Sequence, residues 1–186
     1  MKTVLAINAV MFVVELAAGL IAGSTALLSD SLDNLGDALT YGLSIYAISK
    51  DARSKAKVAL FKGVLILLAA VGVLAQVGHR ALHGATPIFE AMGAVSLLAL
   101  MANSLCLALL WKHRTADVNM SSVWECSRND IAGNIAVFIA SAAVWLTATR
   151  WPDLLIGLLL SIWLLLSSAR VLKNGLSELK LSAFAP

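Results

Sequence analysis

Residues 29–37 read SDSLDNLGD, and they place Asp30, Asp33 and Asp37 in a segment whose hydropathy assigns it to a membrane. Spacings of three and four bring side chains to one face of a helix. A charged side chain at bilayer depth costs at least about 2.5–3.5 kcal/mol on insertion scales. Three carboxylates on one face therefore call for a cation, for protons or for a water-filled cavity. The default reading of such a face is an ion or proton pathway.

The composition around this stretch is that of a membrane protein. Of 186 residues, 60% are hydrophobic and only 13% are charged, whereas a soluble domain carries about 25% charged residues. At about 20 residues per spanning helix, the chain holds roughly six spans and leaves no room for a separate soluble domain. The pI near 9.0 does not point to nucleic acid, because basic residues flanking spans are topology signals. Cys106 and Cys126 fall in separate apolar segments, so no disulfide framework is expected. Met1 to Ser24 is long enough to span and reads as a first helix rather than a cleaved signal.

The expected spans are Thr3 to Ser24, Ala26 to Ser49, Val58 to Gly78, Ala91 to Trp111, Ser121 to Thr149 and Asp153 to Leu172. All read as helices, which satisfy their own backbone in lipid; the segments are too long for barrel strands. The fold class is thus an all-α membrane protein, a bundle of six transmembrane helices. Residues 1–172 form the transport domain and 173–186 a short cytoplasmic tail. The basic stretch KDARSKAK (50–57) and the stretch HRALHGATPIFE (79–90) read as loops, and Lys62 sits near a span start where it can snorkel. Lys2, Lys50, Arg53, Lys55, Lys57, Lys112, Arg114, Arg170, Lys173 and Lys180 flank one side; Arg80 and Arg150 flank the other. The positive-inside rule puts both termini in the cytoplasm.

The partner of the Asp face comes from the fifth span. There Cys126 and Asp130 are four apart, the same spacing as Asp33 and Asp37. With a rise of about 1.5 Å per residue, Asp33 and Asp37 lie roughly 10 and 17 Å from the outer end, and Cys126 and Asp130 roughly 9 and 15 Å from the inner end. In a hydrocarbon core of about 30 Å both pairs fall near the middle. Two antiparallel helices then offer three oxygens and one sulfur to one point. Thiolate plus carboxylate in a four-ligand set suits Zn²⁺, with Cd²⁺ and Co²⁺ also compatible.

Other polar positions have plainer readings. Asp30 lies nearer the outer surface and is a vestibule residue or an accessory ligand. Glu15 is expected to pair inside the bundle, with assistance to protons as the second reading. Asn8, Asn34, Asn103, Asn129 and Asn134 suit interhelical hydrogen bonds. Glu125 and Arg128 have the spacing of a helix-surface ion pair. Gly36, Gly133 and the Gly19/Gly23 pair are packing positions. His79 and His83 have ligand spacing but stand in an outer loop, where two histidines alone make a weak site.

These residues carry a resemblance. LLSDSLDNLGDAL resembles the second-helix motif of the cation diffusion facilitator family of metal transporters, a His or Asp followed four residues later by Asp, here Asp33 and Asp37. WECSRNDIAGN resembles the fifth-helix motif, with Cys126 where the family usually has His or Asp, and Asp130 four residues on. WPDLLIGLLLS resembles the start of the family's last helix. The resemblance covers essentially the whole chain and implies six spans with both termini inside. It also implies a secondary active transporter, not an enzyme, in the cell (inner or plasma) membrane. Family members usually carry a cytoplasmic domain after the sixth helix that binds metal and helps dimerise. The sequence stops at Pro186, so only the membrane part is expected here and a homodimer stays open.

The implied mechanism is proton-coupled efflux of a divalent cation: metal and protons, the two partners besides the bilayer, compete for the same side chains, since ligands must be deprotonated. No cofactor is expected beyond the transported metal. The alternative is a proton-coupled exporter of organic cations using the same Asp face, for which Tyr41, Tyr46 and Trp124 offer a thin aromatic lining. A scaffold would leave the buried ionisable residues without purpose. No Ser-His-Asp set or HExxH motif supports an enzyme.

Overall fold

A computed structural model describes residues 2–47, 52–111 and 118–184, with the side chains of 44, 46, 47, 52, 53, 55, 118–127 and 181–184 outside the described set. Six helices follow one another: α1 (Lys2–Ala22), α2 (Thr25–Ala47), α3 (Ala52–His83), α4 (Phe89–Trp111), α5 (Val118–Thr147) and α6 (Trp151–Phe184). Five of them, all but α2, are long and apolar enough to cross a membrane. α2 falls short because Asp30, Asp33 and Asp37 replace apolar residues along its length.

Its place in the bundle explains how that composition is tolerated. α2 packs against α1, α3, α5 and α6, while α4 closes the bundle against α1 and α5. Exposed large apolar side chains such as Ile21, Phe61, Leu68, Met101, Ile139 and Leu159 stud the other five helices. Among the described residues α2 has none. The apolar helices thus turn one side outward, as lipid-facing helices must, and enclose the polar one. Apolar clusters fill the seams: Leu28, Leu32, Ile66 and Leu164 between α2, α3 and α6, and Ala26, Leu27, Met92 and Val137 between α2, α4 and α5.

Helix ends depart from the hydropathy reading. Residues 52–57, expected as a basic loop, form the first turns of α3. His79 to His83, also expected in a loop, form its last turn, and the connection to α4 is only residues 84–88. α6 continues through the segment taken as a tail as far as Phe184. Lipid demands apolar side chains, but intrahelical hydrogen bonds continue into the polar interface wherever no breaker intervenes. Breakers mark the true stops. α1 ends at Gly23 with φ +68°, and Ser24 N–H returns to Gly19 O at 2.9 Å, the Schellman pattern that glycine allows.

At one end the connections are tied together. Ile88 N–H donates to Ala22 O at 2.9 Å. Arg80 Nη1 donates to Gly23 O at 2.6 Å, and Arg150 donates to Ala81 O at 2.9 Å and to Gly84 O. The two arginines counted as outer flanking charges thus also bond carbonyls at the ends of α1 and α3.

Candidate metal site

The interior face of α2 begins at a cap. Ser24 Oγ accepts from Leu27 N–H at 3.0 Å, the side-chain cap that suits a helix start. Ser24 Oγ itself donates to Asp153 Oδ1 of α6 at 2.6 Å. Asp153 also accepts from Thr25 N–H at 2.9 Å, Thr25 Oγ1 at 2.9 Å and Ala26 N–H at 3.1 Å. A buried carboxylate of α6 therefore holds the first turn of α2, where the helix dipole favours negative charge. One turn deeper, Ser29 Oγ meets Gly157 O and Ser161 Oγ, each at 2.9 Å. The sequence reading missed Asp153, because an acid in the first turn of α6 reads as a cap for α6 itself.

Below this cap the carboxylates face inward. Asp37 is 7% exposed and Asp130 of α5 is 3% exposed. Tyr41, fully buried, donates its hydroxyl to Asp37 Oδ2 at 3.0 Å. Asp130 Oδ2 has no hydrogen-bond partner among the described residues. The charge acting most strongly on Asp130 is that of Asp37, followed by Asp33, Asp30 and Glu15, so all five share one electrostatic neighbourhood. Asp33 is half-buried. It lines a cavity of about 240 Å³ with Asn129, Ala132 and Gly133 of α5 and Leu160 and Trp163 of α6. Lys62 of α3 turns toward α2 and donates to Thr40 Oγ1 rather than reaching outward, and its charge acts on Asp33.

Of the four ligands expected from sequence, Asp33, Asp37 and Asp130 lie where α2 and α5 pack and share one electrostatic neighbourhood. Among the described residues no three acidic, His or Cys side chains stand close enough to hold a metal ion. The fourth expected ligand, Cys126, lies on α5 with its side chain outside the described set. So do Glu125 of the expected ion pair and Trp124, and the side chain of Tyr46 on α2 is likewise outside the described set.

Asp30 is not a vestibule residue. It is 2% exposed, accepts from Asn134 Nδ2 at 2.7 Å, and its Oδ1 sits where a side chain on Gly133 would be, 2.9 Å from an added Cβ. Depth along a straight helix did not reveal this, because burial is set by the neighbouring helix. Asn103 Nδ2 donates to Asn134 Oδ1 at 2.9 Å, so the strip Asp30–Asn134–Asn103 joins α2, α5 and α4. Glu15 Oε2 accepts from Asn34 Nδ2 at 2.9 Å, the pairing inside the bundle expected for Glu15. Asn8 and Asn129 differ from expectation: Asn8 bonds Val4 O of its own helix, and Asn129 is an exposed cavity residue. His79 and His83 stack at 5.4 Å on the last turn of α3.

Fold and interior together define a multi-pass α-helical membrane protein with an acidic core enclosed by apolar helices. Residues 1–180 match the cation efflux transmembrane domain, and the chain belongs to that family, as the paired motifs on α2 and α5 led one to expect. Its similarity extends to individual members. It is 25% identical to the metal cation efflux system protein CzcD of Cupriavidus metallidurans, over 96% of this chain. It is 23% identical to the zinc transporter ZitB of Yersinia pestis, over 94% of this chain. The chain spans 60% of the length of each of these relatives. Family members are transporters rather than enzymes.

Proposed function

We propose that this chain moves divalent transition-metal cations out of the cytoplasm in exchange for protons, with Zn²⁺ the best-suited substrate and Cd²⁺ and Co²⁺ compatible ones. Asp33 and Asp37 of α2 and Cys126 and Asp130 of α5 are the ligands. All six helices span the membrane, α2 shielded by the rest, and both termini face the cytoplasm. The names of the two relatives, a metal cation efflux protein and a zinc transporter, agree in substrate class with this reading.

The observation that carries it is the packing of α2 on α5 with Asp37 and Asp130 both buried and one Asp130 oxygen lacking a partner among the described residues. A buried anion with an unused lone pair is costly unless something positive visits it. The half-buried Asp33 at the cavity edge gives a visiting ion a first contact on its way inward. Ligands bind metal only when deprotonated, so metal arriving from the cytoplasm displaces protons. Rocking of the helices then exposes the site outward, and outside protons replace the metal.

The test is zinc uptake into vesicles containing the chain, with Asp37→Ala and Asp130→Ala measured separately. Loss of uptake in both variants, with normal membrane insertion, supports the assignment. Full uptake in both removes the site.

A further inference from the structure

Glu15 stands outside the metal ligands and has no role in the exchange described so far. It lies roughly 10 Å from the end of α1, counted as seven residues from Ala22, and is 0% exposed. Its one hydrogen bond among the described residues comes from the Asn34 amide, and its Oε1 has no partner. The charged groups that act on it are Asp30 and Asp33 of α2 and Asp130 of α5, all carboxylates. α4, the other helix packed on α1, brings no charged group to it among the described residues.

A bare carboxylate in that position would be dry, without a positively charged partner among the described residues and surrounded by its own sign of charge, an arrangement buried ions do not sustain. A proton removes the charge, and it also supplies a donor in a strip where two buried acceptors, Glu15 Oε1 and Asn34 Oδ1, have none. A divalent ion at the α2–α5 site changes these surroundings, since the ion becomes the largest local charge. Such an ion offsets the carboxylate charges that surround Glu15.

We propose that Glu15 is a proton-binding site of the transport cycle, separate from the metal ligands and coupled to them through space. When the cation binds from the cytoplasm, the O–H bond of Glu15 breaks and its proton leaves to the cytoplasmic water. When the cation departs outward, Glu15 takes one proton from the outer side. This inference rests on the transport reading given above. It differs in that metal and this proton never compete for the same atom.

The isosteric variant Glu15→Gln tests it, because glutamine keeps the acceptor for the Asn34 amide and cannot ionise. Two assays on the same vesicles separate carrying from coupling: zinc accumulation driven by a proton gradient, and zinc–zinc exchange at equal pH on both sides. The expected result is at least a tenfold loss of gradient-driven accumulation with exchange kept within threefold of wild type. Unchanged accumulation in the variant overturns the inference and leaves the transport reading standing. Loss of exchange as well overturns it too, since Glu15 would then serve the metal path rather than carry a proton. A wild-type chain that moves no zinc in either assay removes the transport reading, and this inference with it.

Discussion

α2 has two polar faces, and they are built in opposite ways. Toward α6, every polar group near the start of the helix finds a partner: Asp153 alone accepts from Ser24, Thr25 and Ala26, and Ser29 meets Gly157 and Ser161. Toward α5, Asp130 keeps an oxygen without a partner among the described residues and Asp33 borders a cavity. The first face is saturated and closely packed, as a structural joint must be. The second holds charge it does not neutralise, as a site for a transient ion must. Stability and transport are therefore expected to respond to different residues of one helix.

The comparison breaks most visibly at the unsatisfied face. Asp130→Ala or Asp37→Ala is expected to lower the zinc transport rate at least about a hundredfold, because losing even a supporting partner of a metal ligand costs 10–100-fold. Thermal unfolding of Asp130→Ala in detergent should change little, and a large loss of stability would show that this carboxylate is structural; Asp37→Ala also strands the Tyr41 hydroxyl and is expected to cost about 1–3 kcal/mol.

At the saturated face the order reverses. Asp153→Ala leaves the first amides of α2 and the Ser24 hydroxyl without their acceptor, and unfolding in detergent should show a loss of about 1.5–3 kcal/mol, the range for a hydrogen bond to a charged group. The transport rate per folded molecule should stay within a fewfold of wild type. Gly157→Ala probes the same joint by crowding. Its added Cβ would lie 2.6 Å from Thr25 Oγ1 and 2.8 Å from the Thr25 backbone carbon, and forcing the helices apart is expected to cost about 1–3 kcal/mol. The same unfolding measurement checks it, and an unchanged midpoint would show that the seam is looser than described.

The smallest effect falls between the two faces. Asn134→Leu removes the donor to Asp30 and the acceptor for Asn103. Interhelical hydrogen bonds in membranes average about 0.6 kcal/mol with a maximum near 1.7, so a loss of about 1 kcal/mol is expected in the unfolding assay. A loss of transport larger than that of Asp130→Ala would move the centre of the site to Asp30.

The central features were legible in the sequence because they break a rule. Asp33, Asp37 and Asp130 stand out against long apolar runs, and helix periodicity says which of them share a face. The family motif at WECSRNDIAGN pointed to α5 as the partner helix. What stayed hidden depended on contacts between segments far apart in the chain. Asp153 acts on a helix that begins 128 residues earlier, and no local pattern reveals that. Asp30 reads as a vestibule residue because distance along a helix gives depth but not burial, which the neighbouring helices set. The ends of α3 and α6 were missed because hydropathy follows the lipid, whereas a helix stops at a breaker such as Gly23 or where a connection such as 84–88 intervenes.

The central claim is that cation and protons move in opposite directions through the α2–α5 carboxylates. The most direct measurement records zinc and proton flux together in vesicles containing the wild-type chain, with the double variant Asp33→Ala/Asp130→Ala beside it. The account predicts zinc movement matched by proton movement in the opposite direction, both absent from the double variant. Zinc movement without protons, or coupled movement that persists in the double variant, would contradict it.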